Sequence, residues 1–119
     1  MNKQTVERYM EGFRRSDHAE ILACLTDDVE WIIPGAFHLH GKAAFDAEIE
    51  NPAFVGRPEI VVTRLSEDDD VVVAEGTVRT QPRGGGFVFL AMCDVFEMRA
   101  GLIRRLTSYL MEIKPSSAD

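Results

Sequence analysis

Asp94 is the residue whose position most strongly suggests chemistry. It lies in the apolar stretch FVFLAMCDVFEM, which spans residues 87–98. An apolar environment disfavours the ionised carboxylate, so we expect the pKa of Asp94 to be raised and the protonated group to donate hydrogen bonds near neutral pH. The alternative is a structural aspartate that is satisfied by a buried arginine or a backbone amide.

Tyr9 is the second candidate. It belongs to a set of apolar residues with helical spacing, Val6, Tyr9, Met10 and Phe13, and therefore faces the protein interior. A buried phenol hydroxyl needs a polar partner. If Asp94 is close, the two groups form a pair of donors for one substrate oxygen; otherwise Tyr9 is a core residue with its hydroxyl bound to water.

His38 and His40 are separated by one residue, in a segment that we interpret as a loop at the mouth of a pocket. Either side chain could act as a general base, and the alternative is two surface histidines. A metal site needs at least a third ligand, and no further histidine or cysteine completes a recognisable spacing. We therefore expect neither a metal nor an organic cofactor.

Three helices followed by strands must position these residues. Helices are expected at residues 3–15, 18–25 and 41–50, and strands at 29–33, 60–65, 71–80, 87–98 and 102–113. This order predicts an α+β fold with the helices packed into one face of a curved, mostly antiparallel sheet. Because strand 87–98 carries large apolar residues on both faces, both faces need cover, which predicts a pocket on one side and a dimer on the other.

Composition narrows the function classes. The 119 residues are expected to form a single domain, with a frayed tail at 115–119. A formal net charge of -7 and the lack of a basic cluster argue against a nucleic-acid partner. No apolar run is long enough for a membrane span or a signal peptide, so a cytoplasmic location is expected.

Four short motifs, taken in order, carry a resemblance to a known family: RYM at 8–10, TDDVEWIIPG at 26–35, CDVFEM at 93–98 and TSYLM at 107–111. Together they resemble the nuclear transport factor 2-like superfamily, and within it the SnoaL-like and ketosteroid-isomerase-like branch, from about residue 6 to residue 113. The resemblance implies a cone-shaped α+β barrel with a deep apolar pocket, and a homodimer formed through the outer face of the sheet.

The resemblance also implies roles for individual residues. In ketosteroid isomerases a general-base Asp removes a proton beside a carbonyl, while a Tyr and a protonated Asp hold the oxyanion. Tyr9 and Asp94 fall on the two oxyanion positions, and Ile33 falls on the position of the base. If the protein is an isomerase, cyclase or dehydratase, one of the two loop histidines or Glu75 must supply the base. The alternatives are a non-catalytic ligand-binding or dimerisation module, or an adaptor that binds proteins.

Glu75, Thr77 and Arg79 alternate along one predicted strand and so share one face. Strand patterning places them in solvent, whereas the resemblance places them in the pocket, and we favour the pocket. There Arg79 could pair with Asp94 or hold an anionic substrate. The similar limonene-epoxide-hydrolase branch uses an Asp-Arg-Asp set, for which Arg79 lies near the arginine but Ser108 stands at the last aspartate.

The rest of the pocket wall is expected to consist of apolar residues and one serine. These candidates are Phe13, Trp31, Ile33, Met92, Phe96, Leu106, Ser108 and Leu110. The expected ligand is a small, largely apolar molecule that carries a carbonyl, hydroxyl or carboxylate group.

Overall fold

Three helices and one six-stranded sheet form the fold, and the computed structural model describes residues 1–114. The helices are α1 (Asn2–Arg14), α2 (His18–Ala23) and α3 (Gly41–Ile49). The strands are β1 (Leu25–Ile33), β2 (Phe37–His40), β3 (Phe54–Asp68), β4 (Val71–Pro82), β5 (Val88–Arg99) and β6 (Leu102–Glu112). The predicted α+β class is confirmed. The tail at 115–119 lies outside the described residues.

The strand order in the sheet is β2-β1-β6-β5-β4-β3. Strands β3 to β6 form an antiparallel meander, as expected, and β1 joins it by pairing in parallel with β6. The turn between β5 and β6 places Ala100 and Gly101 at φ values of 52° and 80°, as tight hairpins require. The sheet is curved and not closed, and the helices pack into its concave side.

A glycine in β4 accompanies the bend of the sheet. Gly76 lies opposite Val62, and the β3 register shifts between Val62 and Arg64. A Cβ atom added to Gly76 would lie 1.9 Å from the carbonyl oxygen of Val61. Only a residue without a side chain allows β3 to approach β4 this closely at the bulge.

The core lies between the helices and the inner face of the sheet. Helix α1 buries Val6, Tyr9 and Met10, which is the face predicted from its spacing. Helix α2 begins after Asp17, whose side chain accepts a hydrogen bond from the backbone N–H of Glu20 at 3.1 Å. This cap satisfies one of the unpaired donors of the first turn.

Three strands differ from the sequence-based expectation. Strand β1 begins at Leu25, four residues before the expected start at residue 29. The segment that contains His38 and His40 was expected to be a loop but forms β2. Strand β3 begins at Phe54, earlier than the expected residue 60, and runs through Pro58. Because β3 is an edge strand, a proline and a register shift cost it little pairing.

None of the helices in residues 1–114 has the length and hydropathy needed to cross a membrane.

Candidate functional site

A cavity of about 610 Å³ lies between α1, α3 and the inner face of the sheet. Its interior wall is mainly apolar and includes Met10, Phe13, Trp31, Ile33, Ile49, Ile60, Val78, Leu90, Met92 and Leu110. The charged residues Glu50, Arg57 and Arg83 also line it, but they are exposed and therefore lie at its rim. A ligand would pass a charged rim to reach an apolar interior.

Asp94 lies in the wall of this cavity, on β5, and is only 8% exposed. Burial raises the pKa of its carboxyl group to about 6, and a hydrogen bond from Ser108 partly opposes this rise. Within residues 1–114, no cationic side chain contributes to the pKa of Asp94. A buried arginine, one of the two partners considered for a purely structural role, is therefore not what holds this carboxyl group.

Ser108 connects Asp94 to Trp31. The indole Nε1–H of Trp31 donates to the Ser108 hydroxyl oxygen at 3.1 Å, which leaves the serine proton free to donate to Asp94. The sheet register produces this arrangement, because Ser108 of β6 lies opposite Asp94 of β5, and Trp31 of β1 lies opposite Leu106 of β6. Three neighbouring strands thus supply one chain of hydrogen-bonding groups on the inner face.

Tyr9 approaches the same cavity from α1 and is 2% exposed. Its ring packs edge-on against Phe96, with 5.4 Å between ring centroids, and beside Phe13 at 5.7 Å. Burial, followed by the nearby carboxyl group of Asp94, raises the pKa of Tyr9 well above its usual value. Tyr9 therefore stays protonated at physiological pH, and its hydroxyl is able to donate a hydrogen bond.

Most of the residues predicted to form the pocket do line it. They are Tyr9, Phe13, Trp31, Ile33, Met92, Asp94, Ser108 and Leu110. Phe96 and Leu106 do not, and here the expectation is corrected. Both are completely buried, and Phe96 is covered by the ring of Tyr9, so they form the core beneath the pocket.

His38 and His40 lie on the opposite face of the sheet from the pocket, contrary to the expectation that they lie at its mouth. In β2, Phe37 and Leu39 turn inward opposite Ile33 and Trp31, so the alternating histidines turn outward. Neither histidine can therefore act as a base in this cavity.

Glu75, Thr77 and Arg79 also lie on the outer face, so their expected place in the pocket is corrected. They are the alternate residues to the inward Ala74, Gly76 and Val78 of β4. Glu75 pairs with Arg64 at 2.5 Å, and Arg79 pairs with Glu59 and lies over the ring of Phe87. Glu75 and Arg79 are thus paired with Arg64 and Glu59 of β3. The charges of Glu75 and Arg79 are therefore not available to a ligand in the pocket.

Sequence reasoning missed several inward positions, of which Leu90 and Thr80 are examples. Leu90 precedes Met92 and Asp94 by even steps along β5 and lines the pocket with them. Thr80 lines it from β4, and its buried hydroxyl has no hydrogen-bond partner within residues 1–114. The alternation of inward and outward residues along each strand indicates both positions. The family resemblance, in contrast, favoured the other face of β4 as the pocket wall.

Comparison with known proteins identifies the family. The sequence model of the SnoaL-like domain matches residues 6–106 of this chain. No protein of curated function matches the sequence significantly.

Solved structures share the fold closely. An NTF2-like protein of unknown function from Burkholderia pseudomallei is 24% identical over 92% of this chain and 90% of its own, with a TM-score of 0.87. A candidate polyketide cyclase from Xanthomonas campestris is 26% identical over 92% of each chain, with a TM-score of 0.81. An LEH-like epoxide hydrolase from Mycobacterium tuberculosis is 21% identical over 92% of this chain and 82% of its own, with a TM-score of 0.81. The likenesses show that the chain shares the fold of NTF2-like proteins, and the family match shows that it belongs to the SnoaL-like domain family.

Proposed function

We propose that the pocket binds a small, largely apolar molecule through one of its oxygen atoms, and that Asp94 exchanges a proton with this molecule while Tyr9 donates a hydrogen bond to the oxygen. The observation that carries the proposal is a carboxyl group with a pKa of about 6 in an apolar cavity, where no cationic side chain of the described residues 1–114 pairs with it. Perturbed carboxyl groups of this kind are concentrated at functional sites.

Asp94 and Tyr9 differ in protonation state and therefore have different roles. With a pKa of about 6, Asp94 is mainly ionised at pH 7 and is ready to accept a proton. A general base is most effective when its pKa lies near the working pH. Tyr9 keeps its proton and can donate it in a hydrogen bond. Asp94 thereby takes the role that Ile33, a hydrocarbon in the wall of the same pocket, cannot fill.

The chemistry that follows is proton abstraction beside a carbonyl group. Asp94 takes the proton from the α-carbon, the C–H electron pair forms the C=C bond of the enolate, and the carbonyl π pair moves to the oxygen, which Tyr9 stabilises through its hydroxyl. Returning the proton to another carbon gives isomerisation, and attack of the enolate carbon on an internal electrophile gives cyclisation. The likeness to a candidate polyketide cyclase at 26% identity supports this class of reaction.

The size of the cavity supports a small-molecule ligand. Its volume of about 610 Å³ lies within the range of about 300–1,000 Å³ that is usual for such sites. The buried polar groups in the wall are few: Asp94 and Ser108 lie side by side on neighbouring strands, Thr80 lies farther along β4, and most of the remaining interior is apolar. One end of the ligand would therefore carry the oxygen function and the rest would be hydrocarbon or aromatic.

The competing function is a binding module without catalysis. The feature that favours it is Ile33, because the residue at the position of the family's base cannot accept a proton. Such a module would bind the same ligands through the same two groups, so a measurement of binding alone does not separate the two functions.

The first experiment measures binding of substituted phenols and naphthols by the fluorescence of Trp31, the single tryptophan of the chain and part of the pocket wall. We expect binding to strengthen as the pH rises through about 6, when Asp94 becomes an acceptor for the phenol hydroxyl. Asp94→Asn and Tyr9→Phe should each weaken binding at pH 7.5 by about tenfold, or about 1.4 kcal/mol. Tyr109→Phe, at the exposed second tyrosine, is the matched control and should bind as the wild type does.

The second experiment separates the enzyme from the binding module. Exchange of α-protons of apolar ketones in D₂O, followed by NMR, detects proton abstraction without knowledge of the natural substrate. An enzyme should accelerate exchange, and Asp94→Asn should abolish the acceleration. Binding without exchange would support the non-catalytic module, and binding that is indifferent to both substitutions would exclude this site altogether.

The partner that we propose is a second copy of the chain, bound through the outer face of the sheet. Large apolar side chains are exposed there, since Phe89, Tyr109 and Met111 are 50%, 52% and 74% exposed. An exposed apolar group of this size on a strand surface is typical of an interface. Sedimentation equilibrium of the wild type and of Tyr109→Lys, which should shift the protein towards the monomer, tests this proposal.

A further inference from the structure

Three potential ligands converge on the outer face of the sheet, away from the pocket. They are the carboxylate of Glu30 on β1 and the imidazoles of His38 and His40 on β2. One ligand atom from each lies within 4.8 Å of the other two. His38 Nε2 is 2.8 Å from Glu30 Oε1, and His40 Nδ1 is 3.8 Å from the same oxygen.

The backbone brings these groups together. Strands β1 and β2 pair antiparallel, with His40 opposite Glu30 and His38 opposite Ile32. Directly opposed residues and those two positions along a strand share one face. The inward positions of β2 are occupied by Phe37 and Leu39, which pack against the core cluster. The register of the hairpin therefore fixes all three ligand positions on the outer face.

We propose that Glu30, His38 and His40 form a binding site for a divalent transition-metal ion of the Zn²⁺ type. Two imidazoles and one carboxylate suit ions of this class. Metal–ligand bonds of about 2.0–2.2 Å in a tetrahedral site separate the ligand atoms by about 3.4 Å. His38 must therefore withdraw slightly from Glu30, and His40 must approach it.

The histidine side chains are able to make this adjustment. Their rings are stacked with centroids 4.4 Å apart, so at least one ring must rotate to direct a nitrogen at the shared ion. The side chains of His38 and His40 are 47% and 70% exposed. Rotation therefore moves them through solvent and displaces no core residue.

Glu30 is held in a suitable orientation. Arg104 Nη1 and Arg105 Nη2 donate to its Oε2 at 2.7 and 3.1 Å, while Oε1 faces the histidines. Hydrogen bonds to the distal oxygen of a carboxylate ligand are the usual way in which proteins orient such a ligand. The carboxylate is 10% exposed, so its position is fixed before an ion binds.

The surrounding charges leave room for a cation. The ion-pair network around the site contains three carboxylates and three guanidinium groups: Asp28, Glu30, Glu97, Arg99, Arg104 and Arg105. Their formal charges cancel, so the arginines do not give the site a net positive charge. The protein as a whole carries a formal charge of -7, which favours the approach of a cation.

The expectation of no metal considered only histidine and cysteine ligands close in sequence. Glu30 is eight residues from His38 and becomes a neighbour only through the hairpin register. Three protein ligands leave a fourth position open to water or to a further ligand.

The test is isothermal titration of Zn²⁺ into chelator-treated protein that carries no affinity tag. The wild type should bind one equivalent, and His38→Gln and His40→Gln should each raise Kd at least tenfold. His18→Gln is the matched control, because His18 lies on α2 and contacts Asp46 and Glu50 through opposite ring nitrogens. Its Kd should stay within a factor of two of the wild type. Circular dichroism confirms that each exposed-histidine variant is folded.

Two results would overturn the proposal. One is the lack of saturable binding at Zn²⁺ concentrations up to about 100 μM, which corresponds to roughly 5.5 kcal/mol of binding free energy. The other is a similar loss in all three variants, or in none, which would show that zinc binds to surface groups without a defined site.

Discussion

Asp94 should make the folded protein less stable as the pH rises, and Asp94→Asn should remove this effect. Folding raises the pKa of this carboxyl group from 3.8 to about 6, so between these values the folded state binds more protons than the unfolded state. Stability then decreases with increasing pH. A shift of about two pKa units corresponds to roughly 3 kcal/mol once the pH is well above 6.

Asparagine has nearly the same size and no charge to desolvate. At pH 8 Asp94→Asn should therefore be more stable than the wild type by up to about 3 kcal/mol, and at pH 5 by roughly 1.5 kcal/mol, because only part of the penalty exists there. If the substitution weakens or strengthens the contact with Ser108, the stability difference changes by the same amount at pH 5 and at pH 8. The informative quantity is the increase of about 1.5 kcal/mol between the two pH values.

Urea denaturation followed by Trp31 fluorescence at pH 5 and pH 8 measures this increase. Asp27→Asn, at a fully exposed carboxylate, controls for the change in net charge and should show little difference between the two pH values. A free-energy difference between Asp94→Asn and wild type that stays constant or shrinks with pH would refute the reasoning. It would mean that the carboxyl group of Asp94 is not penalised by burial.

Two further substitutions test the site and the sheet. Ser108→Ala removes the hydrogen bond that lowers the pKa of Asp94, so the carboxyl ¹³C titration of Asp94 should move above about 6; an unchanged midpoint would contradict the link between the two residues. Gly76→Ala forces a Cβ against the Val61 carbonyl oxygen and should destabilise the protein by at least about 1–3 kcal/mol. Thr77→Ala, at the exposed neighbouring position, is the control and should change stability by no more than about 0.5 kcal/mol. Equal changes in melting temperature for Gly76→Ala and Thr77→Ala would rule out the close approach of β3 to Gly76.

The fold and the centre of the pocket followed from local patterns. The helical spacing around Tyr9 and the apolar strand around Asp94 each fix which side of an element faces inward. Once helices cover a curved sheet, the two side chains must meet in the same cavity. These patterns are strong because burial of the apolar neighbours dominates the energetics of both elements.

The outer face could not be read with the same certainty. For Glu75, Thr77 and Arg79, the alternation of β4 predicted the solvent side, whereas their spacing relative to the family predicted the pocket. The alternation was correct, because burial of Ala74 and its inward neighbours decides the orientation of the strand. The side of the sheet on which His38 and its neighbours lie depends on whether the four residues 37–40 form a strand. That strand exists because it pairs with β1, and no local signal reveals such a partner.

The parallel pairing of β1 with β6 has a consequence for folding. Strand β6 is the last strand in the sequence but lies between β1 and β5 in the sheet, and the bond from Trp31 to Ser108 spans 77 residues. Strands β3 to β6 can assemble through neighbouring hairpins, whereas β1 can join only after β6 is in place, at the entropic cost of closing a long loop. During synthesis, β1 can pair with β2, but this hairpin, which holds Trp31, cannot join the rest of the sheet until β6 has left the ribosome. We therefore expect the binding cavity to be acquired late, in the same step that completes the sheet.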